Sequence, residues 1–584
     1  MSVESLITKH IDIWTSAVQT KSTAGRGTSS KLDLYGIKKL RELILELAVC
    51  GKLVPQDPND EPASVLLERI EKEKTQLVKE KKIKKPKKLE NISEDEMFFE
   101  LPVGWKWVRL NDLGEWGSGS TPKRSISEYY GGEIPWFKSG ELNQDYISQS
   151  EEYITELALK ETSVRYNHIG DVLVAMYGAT IGKTSILSVR ATTNQAVCAC
   201  TPFTGFLNTY LLLLLKASKS RLVGMGAGGA QPNISREKII NTVTALPPEK
   251  EQHRIVAKVD ELMVLCDQLE QQTEASIAAH QVLVENLLAT LTNSSNADEL
   301  MENWQRISAH FDTLFTTIDA IDQLKQTILQ LAVMGKLVPQ NPADEPASVL
   351  LGRIAKEKAQ LVKEGKIKKQ KALSPIADDE KPFELPDGWE CTMLDDIFVV
   401  TGGLQKTPKR APVLNHYPYL AVANVQRGKL ELDDLKRFEV TDDELERYKL
   451  EFGDLMVVEG NGSDNEIGRC AIWQGEIDNC LHQNHLIRCR PLLSEISGWV
   501  LQTLNSPFGI NEMKTLAVTS SGLYNLSVGK IRSVHIPIPP LDEQSRIVSK
   551  TRELITICDQ LKAHIHEVQK GHLKLTDAIV EQSI

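Results

Sequence analysis

The chain writes much of itself out twice. Residues 47–70 (LAVCGKLVPQDPNDEPASVLLERI) and 331–354 (LAVMGKLVPQNPADEPASVLLGRI) agree at 20 of 24 positions, at an offset of 284. The match runs on as EKEKTQLVKEKKIKK (71–85) against AKEKAQLVKEGKIKK (355–369). It resumes as ELPVGW (100–105) against ELPDGW (384–389). A second block, PPEKEQHRIVAKVDELMVLCDQL (247–269), recurs as PPLDEQSRIVSKTRELITICDQL (539–561), now at an offset of 292. Between the blocks the copies diverge, apart from anchors such as Thr121-Pro-Lys-Arg124 with Thr407-Pro-Lys-Arg410 and Gly170-Asp171 with Gly453-Asp454. A period this long exceeds the roughly 20–45 residues of a stacked solenoid repeat. It signals duplication of a multi-element unit, an internal pseudo-dimer for which a two-fold arrangement is the usual packing.

The duplication divides the 584 residues into six segments. Residues 1–100 are a helical framework, 101–246 a variable segment and 247–292 a long helix. Residues 293–384 repeat the framework, 385–538 are a second variable segment and 539–584 a second long helix. In the framework Ile37, Leu40, Leu43, Ile44 and Leu47 fall at helical spacing, with Gly51 at a C-terminal cap position. Ile321, Leu324, Ile328, Leu331 and Gly335 repeat the pattern. Pro62 and Pro346 suit a first helical position, and the helix they open runs into a lysine tract at 79–88. The variable segments read as mixed α/β: short β-rich runs (171–174, 194–197, 454–458) alternate with Gly, Asn and Ser loops.

The long helices open behind Pro-Pro pairs with acids in the first turn, matching the helix dipole. Ile547, Leu554, Cys558, Leu561, Ile565, Val568, Leu575 and Ile579 alternate at three and four residues. Ile255, Val259, Leu262, Cys266, Leu269, Leu283 and Leu287 do the same. That spacing predicts a coiled-coil seam, and about 42 residues would make a rod of roughly 60 Å. Core helices of a globular domain would show similar spacing.

Several function classes fall away. The longest aliphatic run, residues 211–215, is far short of the roughly 20 apolar residues of a membrane span. The first residues mix Glu4, Lys9, His10 and Asp12 into their apolar neighbours, unlike a secretory signal. Nine scattered cysteines form no disulfide framework, so the expectation is a cytoplasmic protein with reduced thiols. Gly224-Met-Gly-Ala-Gly-Gly229 has the dinucleotide-loop spacing, but Pro232 interrupts the helix such a loop requires. Gly178-Ala-Thr-Ile-Gly182-Lys183-Thr184 is one residue short of a phosphate-binding loop, and the other half lacks it. Cys480, His482, His485 and Cys489 could suggest zinc, yet the first half has no matching histidines. No nucleophile elbow or zincin motif occurs, so catalytic and metal sites are expected to be absent.

Net charge is −11, so any contact with nucleic acid must be local. Residues 101–246 carry 14 Lys/Arg against 12 Asp/Glu, whereas 249–291 carry 3 against 8 and 385–538 carry 15 against 21. The first variable segment is slightly basic; the rods and the second variable segment are acidic.

The blocks LAVxGKLVPQ(D/N)PxDEPASVLLxRI, ELPxGW, YGATIGKT and LPPxxEQxRIVxKxxEL, in this duplicated order, resemble the specificity (S) subunit of type I restriction–modification systems. The resemblance covers nearly the whole chain. It implies two α/β (α+β) target recognition domains joined by a pair of long antiparallel coiled-coil helices, with internal two-fold pseudo-symmetry. Each domain would read one half of a bipartite, asymmetric target in double-stranded DNA, and the long helices would set the spacer. Two methyltransferase (M) subunits would dock on the framework, and restriction (R) subunits would join through that M2S core. S-adenosylmethionine, ATP and Mg would belong to the partners, with no cofactor on this chain. Base and phosphate contacts need polar and cationic side chains in loops. Lys123, Arg124, Lys138, Tyr177, Thr180, Lys183, Thr184, Gln231 and Asn233 offer them in the first half. Lys406, Lys409, Arg410, Arg427, Asn461, Ser463, Asn465, Arg469, Ser521 and Tyr524 do so in the second. Each also reads as an ordinary solvated loop residue. The acidic balance leaves one alternative, a coiled-coil protein-interaction scaffold without DNA readout. A second, a duplicated phosphate-binding enzyme, rests on residues 178–184 alone.

Overall fold

A computed structural model describes residues 3–21, 31–85, 89–226, 232–371, 373–377, 381, 383–461, 466–520 and 523–583. The chain forms two compact units. The first holds residues 1–19, 33–274 and 571–584, the second residues 20–32 and 275–570.

After two short helices, Val3–Lys9 and Ile11–Ser16, the first unit forms helix α1 (Tyr35–Val49), which buries Ile37, Leu40, Leu43, Ile44 and Leu47. It stops where expected. Gly51 adopts φ +73° and the Lys52 N–H reaches back to the Leu47 carbonyl at 2.9 Å, closing the last turn. Helix α2 (Ala63–Lys79) begins one residue after Pro62, which stands at the N-cap. The variable segment then supplies strands β1 (Lys106–Arg109), β2 (Gly114–Ser118), β3 (Tyr130–Phe137), β4 (Val172–Ala175), β5 (Thr184–Leu187) and β6 (Val197–Pro202). Helix α3 (Asn208–Ala217) and strand β7 (Val243–Leu246) follow. The central sheet runs β2-β6-β4-β5, antiparallel throughout, with Tyr146–Ile147 added parallel at the β5 edge. β4 and β5 are buried along their whole length. The aliphatic run 211–215 is buried on every side of α3, a core helix.

The second unit repeats this plan. α4 (Glu249–Asn293), whose first 26 residues belong to the first unit, leads into it. α5 (Ile318–Val333) and α6 (Ala347–Lys363) match α1 and α2. Strands β8 (Glu390–Met393), β9 (Phe398–Gly402), β10 (His416–Leu420), β11 (Lys436–Glu439), β12 (Leu455–Val458), β13 (Cys470–Ile472) and β14 (Leu486–Pro491) follow. They lead to helix α7 (Ser497–Asn505) and strand β15 (His535–Ile538). The central sheet runs β9-β14-β12-β13, again antiparallel. The chain closes with α8 (Leu541–Ser583), residues 541–570 of which lie in the second unit and the rest in the first.

In both units the first and last strands of the variable segment pair with each other. β1 lies antiparallel to β7, Leu246 opposite Lys106, and β8 lies antiparallel to β15, Ile538 opposite Glu390. This brings the ELPxGW block against the LPPxxEQ block. There the Trp105 indole N–H donates to Glu251 at 3.0 Å and Trp389 donates to Glu543 at 3.1 Å, all four side chains buried. Arg254 meets Asp60 at 2.6 Å, and Arg546 meets Asp344 at 2.5 Å. Arg41 on α1 pairs with Asp267 on α4, and Lys325 on α5 pairs with Asp559 on α8. Gly51 and Gly335 admit no side chain, because a Cβ on either would strike the proline and tryptophan of the same junction (Pro102 and Trp105, Pro386 and Trp389). The Trp–Glu and Arg–Asp pairs each link a residue of the first repeated block to one of the second. That is why both blocks recur.

The long helices depart from the heptad expectation. Ile255, Val259, Leu262 and Cys266 are buried, but the stripe continues through Val284, Leu288 and Leu291, while Leu283 is exposed and Leu287 only half-buried. In α8, beyond Glu543 and Gln544 of the first turn, the buried positions are Ile547, Thr551, Cys558 and Thr576; Val568 and Leu575 are exposed. Cys266 to Val284 and Cys558 to Thr576 are both 18 residues, five turns at about 3.6 per turn. Seven-residue counting drifts about 20° per heptad from a straight helix, which lands Leu283 and Leu575 on the wrong face. In the second unit Val284, Leu288 and Leu291 pack with Ile321, Leu324, Ile328 and Cys558 in one cluster. All nine cysteines are free thiols, and burial pushes Cys198 and Cys470 up to about 12.

Removing the junction's acceptor leaves a buried indole N–H without a partner, at a cost of about 1–3 kcal/mol. Glu251→Ala and Glu543→Ala should each lower the stability of its own unit by that amount in chemical denaturation. Equal stability of wild type and both variants would show that the Trp–Glu bond does not hold the junction.

Candidate nucleic-acid interface

Antiparallel register places chain ends. Ser118 at the close of β2 lies opposite Cys198 near the start of β6; Cys198 lies opposite Val174, and Val174 opposite Thr184. The loops 119–124, 194–196 and 176–183 therefore leave the same end of the sheet. They are tied together: Ser120 N–H donates to Thr193 O at 3.0 Å and Met176 N–H to Ala196 O at 2.8 Å. The opposite end faces the framework, where Thr204 N–H donates to Glu73 and Leu207 N–H to Gln252, both at 2.9 Å. The second unit repeats the arrangement, since Gly402 and Val457 both lie opposite Ile487, and Val457 opposite Cys470. Loops 403–410, 459–461, 466–469 and 483–485 share its free end.

A second strand-like pairing completes each end. Tyr177 bridges Asn233, Ile234 N–H donates to Met176 O at 2.9 Å and Gly178 N–H to Pro232 O at 2.8 Å. In the second unit Asn461 pairs Tyr524, and Leu526 N–H donates to Glu459 O at 2.7 Å. The sequence offered these as separate loop residues; the fold assembles them in pairs.

The candidate residues then separate by what already holds them. Lys123, Lys406, Lys409, Tyr177 and Asn233 are exposed. Lys183 lies half-buried with its ammonium on Asn143 Oδ1 at 2.5 Å. The Thr180 hydroxyl turns back to Tyr177 O at 2.7 Å. Arg124 pairs with Glu152 at 2.7 Å and covers the rings of Tyr130 and Trp136, and Lys138 also reaches Glu152, at 3.3 Å. Arg410 forms a two-pronged bond with Glu444 at 3.2 and 2.7 Å. Tyr524 is half-buried against the core.

Three expectations need correction. Thr184 is 6% exposed within β5, shielded on all sides by the sheet. Arg427 is desolvated, which holds its guanidinium below the usual range, and it donates to Asn505 and to Ile467 O. Arg469 donates to Gln426 at 2.9 Å and Val422 O at 3.3 Å, and pairs with Glu466. These arginines fasten loops 422–427 and 466–470 to each other, so they are committed inside the domain. Gln231, Ser463, Asn465 and Ser521 lie outside the described residues. Sequence reasoning missed Glu152 and Glu444, the acids that claim Arg124 and Arg410. An Arg in the same short motif of both halves was the available signal that its role is structural.

The cysteine–histidine group resolves into strand residues. His482, in the short strand Leu481–His482, is buried, with Nδ1 3.3 Å from Tyr448 O. Cys480 and Cys489 are buried and His485 is exposed beside Glu459 at 3.4 Å. Among the described residues no group of three or more His, Cys, Asp or Glu is arranged to hold a metal ion, and no helix is long and apolar enough to cross a membrane. Burial, with Arg488 nearby adding repulsion, lowers His482 to about 3. The folded state therefore holds His482 neutral while the unfolded chain takes up a proton below about 6.5. Its stabilisation is complete above that pH and is lost as pH falls toward 3. The second unit should lose up to about 1.4 kcal/mol per pH unit from this residue in that window. His482→Gln should flatten the thermal-stability profile there; an unchanged slope would refute the assignment.

A family model described as the type I restriction modification DNA specificity domain matches residues 102–279 and 386–569, more than half of the chain. The type I restriction enzyme EcoAI specificity subunit of Escherichia coli is 43% identical over 603 residues, covering 100% of both chains. The EcoEI specificity subunit of Escherichia coli is 42% identical over 615 residues, again covering 100% of both. A solved specificity subunit from Thermoanaerobacter tengcongensis aligns with 84% of this chain and 98% of its own, at 18% identity and a TM-score of 0.39.

Proposed function

The chain belongs to the type I restriction–modification DNA specificity family, and we propose that its two variable segments, 101–246 and 385–538, each read one half of a bipartite DNA target. The observation that carries this is the contrast within the duplication. The sheet ends remote from the framework carry loops that diverge apart from the shared Thr-Pro-Lys-Arg at 121–124 and 407–410, while the Trp–Glu and Arg–Asp pairs of the junctions recur in both halves. A reader of two unlike half-sites needs that combination: changeable contact loops on an unchanging mount. Lys123, Tyr177 and Asn233 are the first reader's available donors and acceptors, with Lys406 and Lys409 in the second. Their types suit phosphate positioning and base-edge contact. The chain itself is the non-catalytic specificity subunit; methylation, with S-adenosylmethionine, and ATP- and Mg-dependent cleavage belong to partner subunits in the cytoplasm.

The long helices serve as spacer and dock. Half-sites read from one DNA face are about 34 Å apart per helical turn, and a 45-residue helix spans roughly 65 Å. Two exposed apolar positions recur at the helix offset of 292: Leu265 with Ile557, and Leu283 with Leu575, each 46–50% exposed. Val65 and Val349 recur likewise on α2 and α6 at 38% and 45%. Apolar surface left open twice, at equivalent positions, fits a partner that binds twice. We assign these positions to two methyltransferase subunits, with restriction subunits joining through them.

Replacing residues 101–246 with the variable segment of a relative should change one half-site of the methylated sequence and leave the other intact, as read by methylome sequencing. A change in both halves would overturn the modular reading. Leu265→Glu should cost the complex one methyltransferase subunit and Leu265→Glu/Ile557→Glu both, measured by native mass spectrometry. Full occupancy in the double variant would remove the helices from the docking surface.

A further inference from the structure

The second reader exposes an apolar tip that the first lacks. Val413 is 72% exposed and Leu414 90%. The loop that carries them is pinned. The backbone N–H groups of Val413, Leu414 and Asn415 all donate to the Glu439 carboxylate, at 2.7, 3.1 and 2.7 Å. These bonds hold Glu439 below the usual carboxylate range. Asn415 Nδ2 donates to Val440 O at 2.8 Å, and Arg410 anchors the other side of the loop on Glu444. In the first reader the residues after Arg124 are Ser125-Ile126-Ser127, and Ile126 turns inward against the cluster of Tyr129 and Ile154.

The surroundings decide what such a tip meets. The loop leaves the free end of the sheet, after Gly402, together with Lys406 and Lys409. Beside it lies a cleft of about 710 Å³ lined by the apolar Pro412, Tyr419, Leu435 and Phe438 as well as by Lys406, Arg410, Lys436 and Arg437. Arg437 also donates to His416 Nδ1 at 2.6 Å. Of the nearby acids, Glu439 and Glu444 are consumed by the loop and by Arg410; Asp433, Asp434, Asp442 and Asp443 remain at the surface, Asp442 accepting from Asn415 Nδ2 at 3.3 Å. Lys406, Lys409, Lys436 and Arg437 thus gather beside the tip, in a reader whose overall charge is negative. A rigid leucine and valine flanked by lysines fit a nucleic-acid groove, where apolar side chains pack on base steps or thymine methyls while cations hold phosphates.

We propose that Val413 and Leu414 form an apolar tip with which the second reader contacts the bases of its half-site, the adjoining Lys406, Lys409 and Lys436 holding phosphates. This rests on the DNA-reading role argued above. It accounts for how an acidic domain binds DNA: with few phosphates neutralised, apolar base contact supplies affinity and discrimination.

The test uses the complete methyltransferase complex and a duplex bearing its own target, with binding followed by anisotropy across salt concentrations. Leu414→Ala should weaken target binding about 10-fold without changing the salt slope or the binding of unrelated DNA. Leu414→Met should restore most of it, and Lys436→Gln should lower the salt slope by about one. Insertion between bases would brighten 2-aminopurine at one step of the half-site; methyl contact would appear as a loss on replacing one thymine by uracil. Unchanged unfolding temperatures confirm that the exposed substitution leaves the fold alone. Undiminished target binding by Val413→Ala/Leu414→Ala would overturn the proposal. So would loss of a methyltransferase subunit from that variant, which would make the tip a protein contact. Failure of the wild-type complex to prefer its target over unrelated DNA would instead strike the DNA-reading role itself.

Discussion

The pairing of each variable segment's first strand with its last is the constraint on which the rest depends. It sets ELPxGW beside LPPxxEQ and so allows one buried tryptophan to donate to one buried glutamate. Burial pushes both glutamates up, and the indole N–H, with Gln56 on Glu251, partly offsets that cost. Around this bond the Arg–Asp pairs and the glycine that admits no side chain fix the long helix against the framework. The sheet then projects from the mount with its far end free.

What diverged and what stayed the same follows from that geometry. Residues of the junction are constrained from several directions at once, so both copies keep them. Loops at the far end touch little beyond one another and, apart from the shared Thr-Pro-Lys-Arg at 121–124 and 407–410, have separated in sequence. The two readers have also solved one problem differently. The first stacks Arg124 on its aromatic rings, whereas the second spends Arg410 on clamping a loop and leaves hydrophobic side chains in water.

Much of this plan was legible in the residues, because duplication marks whatever the mount needs. The helices at 35–49 and 318–333, their glycine stops and the limits of the long helices follow from periodicity and capping. The seam did not, since Leu283 and Leu575 fit a seven-residue count while the helix keeps 18 residues per five turns. Side-chain commitments were the least legible. Arg427 and Arg469 look like loop cations in sequence, and only packing shows that their guanidinium groups bind carbonyls within the domain. Thr184 resembled part of a phosphate loop, yet it belongs to a strand buried along its length. Lys123, Lys406 and Lys409 are exposed, as loop lysines are expected to be.

The strand pairing also explains the arithmetic of the repeat. The framework blocks recur at 284 and the helix blocks at 292, so the second reader is eight residues longer. A domain whose two ends are hydrogen-bonded neighbours, about 4.8 Å apart, presents the same gap to its mount whatever its contour length. The entropy of closing that loop grows only logarithmically, by roughly 0.6 kcal/mol per doubling. Eight extra residues in about 150 are therefore nearly costless. Length is a free variable for these readers, and a new loop can be gained or lost without any adjustment in the helices that carry it.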